Sequence, residues 1–172
     1  MNINIFFSLL FISLVSIFVF FKPLNLKEQS YTDVPTFELS FFTLYELTGA
    51  GLSTLMTGDS SVKYEDRYIV SKIDYTDNSH NYIANMKANE GLYKNNTVLL
   101  TGDIVYIRED GLTFKTQKAT YNKKSEIVTT KTPFKSFRAK NSADGSSLKY
   151  YNNSKKMEAT DVTIKYNLKE SL

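Results

Sequence analysis

Few side chains in this 172-residue chain are able to do covalent or acid–base chemistry. Cysteine is absent, which excludes disulfides, zinc–thiolate sites and thiol catalysis. The one histidine, His80, stands in the polar stretch Asp77-Asn78-Ser79-His80-Asn81 with no cluster of metal ligands around it. Two acidic pairs occur, Glu65-Asp66 and Glu109-Asp110. Neighbours on a strand point to opposite faces, and both pairs sit at turn signals, so neither converges on a reacting atom. Gly49-Ala50-Gly51-Leu52-Ser53 lacks the lysine and the following helical pattern of a phosphate loop and reads as a turn. No Gly-x-Ser-x-Gly nucleophile elbow occurs. The chain therefore reads as a non-enzyme without metal or cofactor, and its chemistry is binding by apolar surface.

The elements that would position such a surface begin with the run from Ile3 to Phe21, which carries no charged side chain. It holds Ile5, Phe6, Phe7, Leu9, Leu10, Phe11, Ile12, Leu14, Val15, Ile17, Phe18, Val19, Phe20 and Phe21. At roughly 1.5 Å per residue it nearly spans a bilayer core of about 30 Å. Lys22 and Pro23 end it. A cleaved signal peptide needs a basic start and a small-residue cleavage site, and neither is present. Residues 1–22 are thus expected to be a single transmembrane anchor and 23–35 a linker. Lys22 and Lys27 follow the run and nothing basic precedes it, which on charge alone would put the rest of the chain in the cytoplasm.

From Thr36 onward the hydrophobic period is two. Phe37, Leu39, Phe41, Thr43, Tyr45 and Leu47 share one parity; Tyr68 to Tyr75 is a short run; Tyr82, Ala84, Met86 and Ala88 alternate. Val98 to Ile107 is the clearest strand, closed by Glu109-Asp110-Gly111 and returned by Leu112, Phe114 and Thr116. Met157 and Ala159 lie on one parity and Val162, Ile164 and Tyr166 on the other, which one extra residue near Thr160-Asp161 explains as a bulge. Many short strands and the content of 12 Tyr, 12 Phe and no Trp predict an all-β domain over 36–172. A tyrosine followed by an Asn/Lys turn and a strand occurs three times, at Tyr93, Tyr121 and Tyr150, spaced by 28 and 29 residues.

The chain from Gly91 to Tyr166, behind one N-terminal apolar run, resembles the lipopolysaccharide export protein family LptC, and its repeat is similar to that of the related LptA proteins. The resemblance runs through GLYKNNTVLLTGDIVYI, GLTFKTQKATYNKKSEIVTTKTPF and GSSLKYYNNSKKMEATDVTIKY; YELTGAGLSTLMTGDSSVKYED resembles the family's first repeat. It implies an open, twisted β-jelly roll of antiparallel strands in the periplasm. It implies a bacterial inner-membrane, single-pass protein with a cytoplasmic N-terminus, contrary to the charge count. It also implies lipopolysaccharide or lipooligosaccharide as ligand, an inner-membrane ABC transporter as donor and an LptA-type periplasmic protein as acceptor.

A strand-built trough lines one face with every second residue. Its candidates are Leu100, Gly102, Ile104, Tyr106, Leu112, Phe114, Thr116, Met157, Ala159, Val162 and Ile164. Gly102 would leave width for an acyl chain or permit a bend. Asp161, Val162, Thr163, Ile164, Lys165 and Tyr166 form the candidate edge toward the next protein by strand addition. From Arg108 to Lys140 there are nine Lys/Arg against three Asp/Glu, read mainly as a solvated face that blunts edges. The mild net charge of +3 and the apolar anchor argue against nucleic acid. Alternatives are a membrane-tethered β-domain that scaffolds an envelope or secretion complex without lipid, and a cleaved, soluble carrier.

Overall fold

The computed structural model describes residues 3–20, 33–49, 51–79 and 82–167. Phe21, Lys22, Pro23, Lys27 and His80 lie outside the described residues, as do the side chains of Phe18, Val19 and Phe20. The chain divides into two units, Met1–Tyr31 and Thr32–Leu172.

In the first unit, α1 spans Ile3–Phe20. It is apolar around its whole circumference; Phe6, Phe7, Leu9, Leu10, Phe11, Ile12, Leu14, Val15 and Ile17 are all exposed. Its 18 residues amount to about 27 Å, short of a bilayer core of about 30 Å. Among the described residues no helix is long and apolar enough to cross a membrane.

The second unit is all β. Its strands are β1 Phe37–Thr48, β2 Gly51–Lys63, β3 Tyr68–Asp77, β4 Ala84–Lys94, β5 Thr97–Arg108, β6 Leu112–Asn122, β7 Ile127–Thr130, β8 Phe134–Arg138, β9 Asn141–Gly145, β10 Ser147–Tyr151, β11 Lys156–Thr160 and β12 Thr163–Lys165. Every pairing is antiparallel. β1 to β6 pair in sequence order; after β6 the sheet forks. One branch runs β6–β7–β10–β11 and the other β6–β8–β9–β12. Among the described residues β1 does not pair with either branch end, so the sheet is open.

The fork has a local cause. A line of backbone irregularities crosses the sheet: positive φ at Phe41, Lys72, Gly102, Asp103 and Asp161, and register slips between Lys87/Glu90 and Thr101/Ile104. Such bulges bend a strand and raise its twist. Each long strand is therefore bent into two arms. Half-sheet I holds residues 37–40, 60–63, 68–71, 90–94, 97–101 and 118–122, continued by β7, β10 and β11. Half-sheet II holds 42–48, 51–58, 73–77, 84–88, 104–108 and 112–116, continued by β8, β9 and β12.

The bend resets the side-chain alternation. In β1 the uniform parity expected from Phe37 to Leu47 does not persist, because Phe41 takes φ 50 at the corner. Phe37 and Leu39 pair with Lys63 and Ser61, whereas beyond the corner Phe42 and Leu44, not Thr43 and Tyr45, lie opposite Gly58 and Met56 on the same face. Asp161 plays the equivalent role at the other end, with φ 51 between β11 and β12. There the parity change read between Ala159 and Val162 marks the crossing from one half-sheet to the other. The Glu109-Asp110-Gly111 turn forms as expected, with Gly111 at φ 86 and its N–H donating to the Arg108 carbonyl at 2.9 Å.

Candidate functional site

The two half-sheets face each other across their inner sides. Tyr75 and Tyr106 on half-sheet II lie close enough to Tyr121 and Tyr150 on half-sheet I to interact electrostatically. Burial, the largest cause, pushes the Tyr106 phenol up to about 12 and also raises Tyr75 and Tyr121. The cluster of Ala88, Ile104 and Ala119 seals the corner, with Leu100 and Met86 packed against it.

From the corner outward, the inner face is mainly apolar, with Ser61 and Lys63 of β2 and Ser136 of β8 as its polar members. On half-sheet I one row of partners reads Tyr68, Tyr93, Val98, Tyr121, Val128, Tyr150, Met157. The tyrosine echo thus has a physical origin. Each hairpin places one tyrosine on the same row, and the spacing of 28 or 29 residues is the length of two bent strands with their turns. On half-sheet II the matching row reads Leu44, Met56, Tyr75, Met86, Tyr106, Phe114, Ser136, Ala143, Ile164. Among the described residues no side chain is sealed below 2% exposure, so the space between the halves is not a closed core.

The groove candidates distribute as follows. Leu100 and Ile104 bracket the corner, Ile104 at 4% exposure. Tyr106 and Phe114 pair on the inner face of half-sheet II, and Phe114 stacks on Phe134 with centroids 5.6 Å apart. Leu112 ends that arm opposite Arg138. Met157 and Ala159 oppose Tyr150 and Leu148. Ile164 opposes Ala143. Val162 lies at the branch crossing; Met157, Val162, Ile164 and Tyr166 are exposed at the sheet end. Asp161 caps that crossing by accepting from the Ser146 hydroxyl at 2.7 Å, while Thr163 and Lys165 pair with Asp144 and Ser142.

Two candidates lie at the corner itself. Thr116 is 5% exposed, and its hydroxyl lies 3.1 Å from that of Thr130, 2.9 Å from that of Thr132 and donates to the Pro133 carbonyl at 3.0 Å. Those bonds hold the β6 fork. Gly102 has φ +76 and occupies the bulge of β5; a Cβ there would stand 2.6 Å from Asn89 Nδ2. Its small size therefore serves the bend.

A polar zipper along the corner was not read from the sequence. Lys72 Nζ donates to Asn89 Oδ1 (2.9 Å), Asn89 Nδ2 donates to Asp103 Oδ2 (3.0 Å), and Gln117 Nε2 donates to Asp103 Oδ1 (3.1 Å). These donors hold the Asp103 carboxyl below its ordinary range, Gln117 first. Nor do the nine cations between Arg108 and Lys140 gather into one patch. Arg108 and Arg138 both pair with Asp110, at 2.6 and 3.1 Å, and chiefly the Arg108 bonds lower the Asp110 carboxyl to about 2. Lys115 and Lys135 pair on the opposite face from Phe114.

Among the described residues both rims of the sheet are unpaired, and both expose large apolar side chains. On β1, Phe37, Leu44 and Leu47 are more than half exposed; on the other side so are Met157, Ile164 and Tyr166. Exposed, unpaired edges of this kind are a liability unless another chain covers them.

No curated protein matches the chain significantly. The family model for lipopolysaccharide-assembly, LptC-related proteins matches residues 7–167, nearly the whole chain. That family is a lipopolysaccharide transport component of the cell envelope, not a family known for enzymes. An open, bent antiparallel sheet with a mainly apolar inner face agrees with such a role, and the chain belongs to the LptC-related family of lipopolysaccharide-assembly proteins.

Proposed function

We propose that this protein is a single-pass inner-membrane member of a lipid-transfer bridge. Residues 1–22 anchor it with the N-terminus in the cytoplasm, 23–35 form a linker, and 36–172 stand in the periplasm. The domain takes lipopolysaccharide or lipooligosaccharide from an ABC transporter and passes it to an LptA-type protein. The observation that carries this reading is the inner face, mainly apolar along both half-sheets and open at both edges. Each CH₂ left in water costs about 0.8 kcal/mol, so acyl chains need a mainly apolar path. The free edges suit strand addition, which would continue that path into a neighbour; β12 and residues 161–166 face the acceptor and β1 the transporter. The anchor reading rests on the sequence, in which the run from Ile3 to Phe21 carries no charge and its 19 residues fall within the range of about 17–25 used by spanning helices.

The test is site-specific photo-crosslinking in cells. Probes at Tyr106 and Phe114, on the inner face, should label lipopolysaccharide, and probes at Val105 and Lys115, on the outer face, should not. Labelling from the outer pair alone would sink the groove reading. No lipid adduct at any of the four would favour a scaffold that binds no lipid.

A further inference from the structure

The groove has two lips, formed by the turns at the far ends of the half-sheets, and their charge differs. On the lip of half-sheet I, residues 63–67, 94–97, 122–126 and 149–156 carry eight Lys/Arg against three Asp/Glu. On the other lip, residues 46–49, 51–54, 77–79, 82–84, 107–112 and 137–142 carry three against four. Much of the first lip's charge is already paired: Arg67 with Asp33 and Asp66, Lys94 with Asp66, Lys156 with Glu158. Among the described ion pairs, Lys63 and Lys123 do not appear.

Those two lysines are placed on aromatic rings instead. Lys63 Nζ lies 5.5 Å from the Tyr68 centroid and Lys123 Nζ 5.3 Å from that of Tyr93. The two rings are themselves neighbours, with centroids 6.2 Å apart. Lys63, Tyr68, Tyr93 and Lys123 therefore form one continuous stack along the groove entrance. An aromatic face attracts an ammonium group without cancelling its charge, and it holds the flexible side chain in place. The result is a pair of positioned, unneutralised cations beside an apolar trough.

We propose that this stack is a phosphate-binding site that takes the phosphate monoester of a phosphorylated glycolipid while its acyl chains lie in the groove. The assignment rests on the groove reading given above. It adds a polarity to it: the headgroup travels along the lip of half-sheet I, not along the lip where Arg108 and Arg138 are both engaged by Asp110.

The experiment uses the full chain in non-ionic detergent with three probes: diphosphorylated lipid A, its phosphatase-treated form, and inorganic phosphate. The wild-type protein should prefer the phosphorylated lipid by about tenfold at low salt, as two exposed charge pairs acting together allow. Lys63→Gln with Lys123→Gln should bind both lipids equally, at the wild-type affinity for the dephosphorylated one. Lys63→Arg with Lys123→Arg should keep the preference. A preference that survives the glutamine pair, or is missing from the wild type, overturns the site. Loss of both lipids in the glutamine pair also overturns it, since the lysines would then be structural. Inorganic phosphate that displaces the lipid at the lipid's own concentration would overturn the glycolipid assignment in favour of a free anion. Absence of any lipid binding by the wild type would overturn the groove reading along with it.

Discussion

Replacing Gly102 by alanine separates two accounts of that glycine. In the structure it sits at φ +76, where a side chain costs about 1–2 kcal/mol. The new Cβ would also stand 2.6 Å from Nδ2 and 2.8 Å from Cβ of Asn89. Asn89 would have to shift, and it is the link between Lys72 and Asp103 in the corner zipper. Losing one such bond costs about 1 kcal/mol. Together the change should destabilise the domain by about 2–3 kcal/mol, a large share of a total of roughly 5–15 kcal/mol. With a urea slope of roughly 2 kcal/mol per molar, the midpoint should fall by about 1–1.5 M. The assay is urea unfolding of the full chain in detergent, followed by tyrosine fluorescence, since the chain has no tryptophan. Gly102→Asn should lose less, because asparagine tolerates positive φ better. An unchanged midpoint for Gly102→Ala, combined with weaker lipid retention, would refute the bend argument and return Gly102 to the lining.

Thr116→Val removes a hydroxyl shared by Thr130, Thr132 and Pro133 and leaves their polar atoms short of partners, so unfolding should become about 1–3 kcal/mol easier by urea titration. A neutral result would mean that water replaces the hydroxyl. Tyr106 has its phenol raised from 10.0 to about 12, mainly by burial, so the fold favours the neutral form. Its contribution is complete below pH 10 and is lost as pH rises through about 12; Tyr106→Phe should flatten stability across that window, and an equally steep decline would show that Tyr106 is not responsible. Removing residues 161–172 deletes β12 while β10 and β11 keep their pairing. Capture of an LptA-type partner should be lost with the strand content otherwise intact, and undiminished capture would move the docking edge to β1.

Much of the fold was legible because it depends on alternation. The run 98–107, the turn at Glu109–Gly111 and the tyrosine echo need only the two-residue period and a turn to be seen. The corner was not, because its residues follow no single type. Asn89, Asp103, Gln117, Thr132, Ser146 and Asp161 meet the bend with five different polar side chains. What they share is spacing: several corner bonds join residues 14 apart, half the tyrosine repeat. That interval was the available signal. A single parity from Phe37 to Leu47 does not survive the bend at Phe41. Alternation says which residues share a face but not which face is concave, so it does not mark Tyr75, Tyr121 and Tyr150 as inner-face residues.

The alternation of tyrosines with aliphatic residues along half-sheet I also bears on how a ligand would move. Two strands at about 4.8 Å each make a step of about 10 Å. After each step the wall repeats, Tyr93–Val98 giving way to Tyr121–Val128 and then Tyr150–Met157. A molecule displaced by one step meets nearly the same neighbours, so its energy is nearly unchanged and no single position is a deep trap. The surface is a corrugated rail with approximate translational symmetry. On such a rail net direction has to come from the ends, where molecules are loaded and removed.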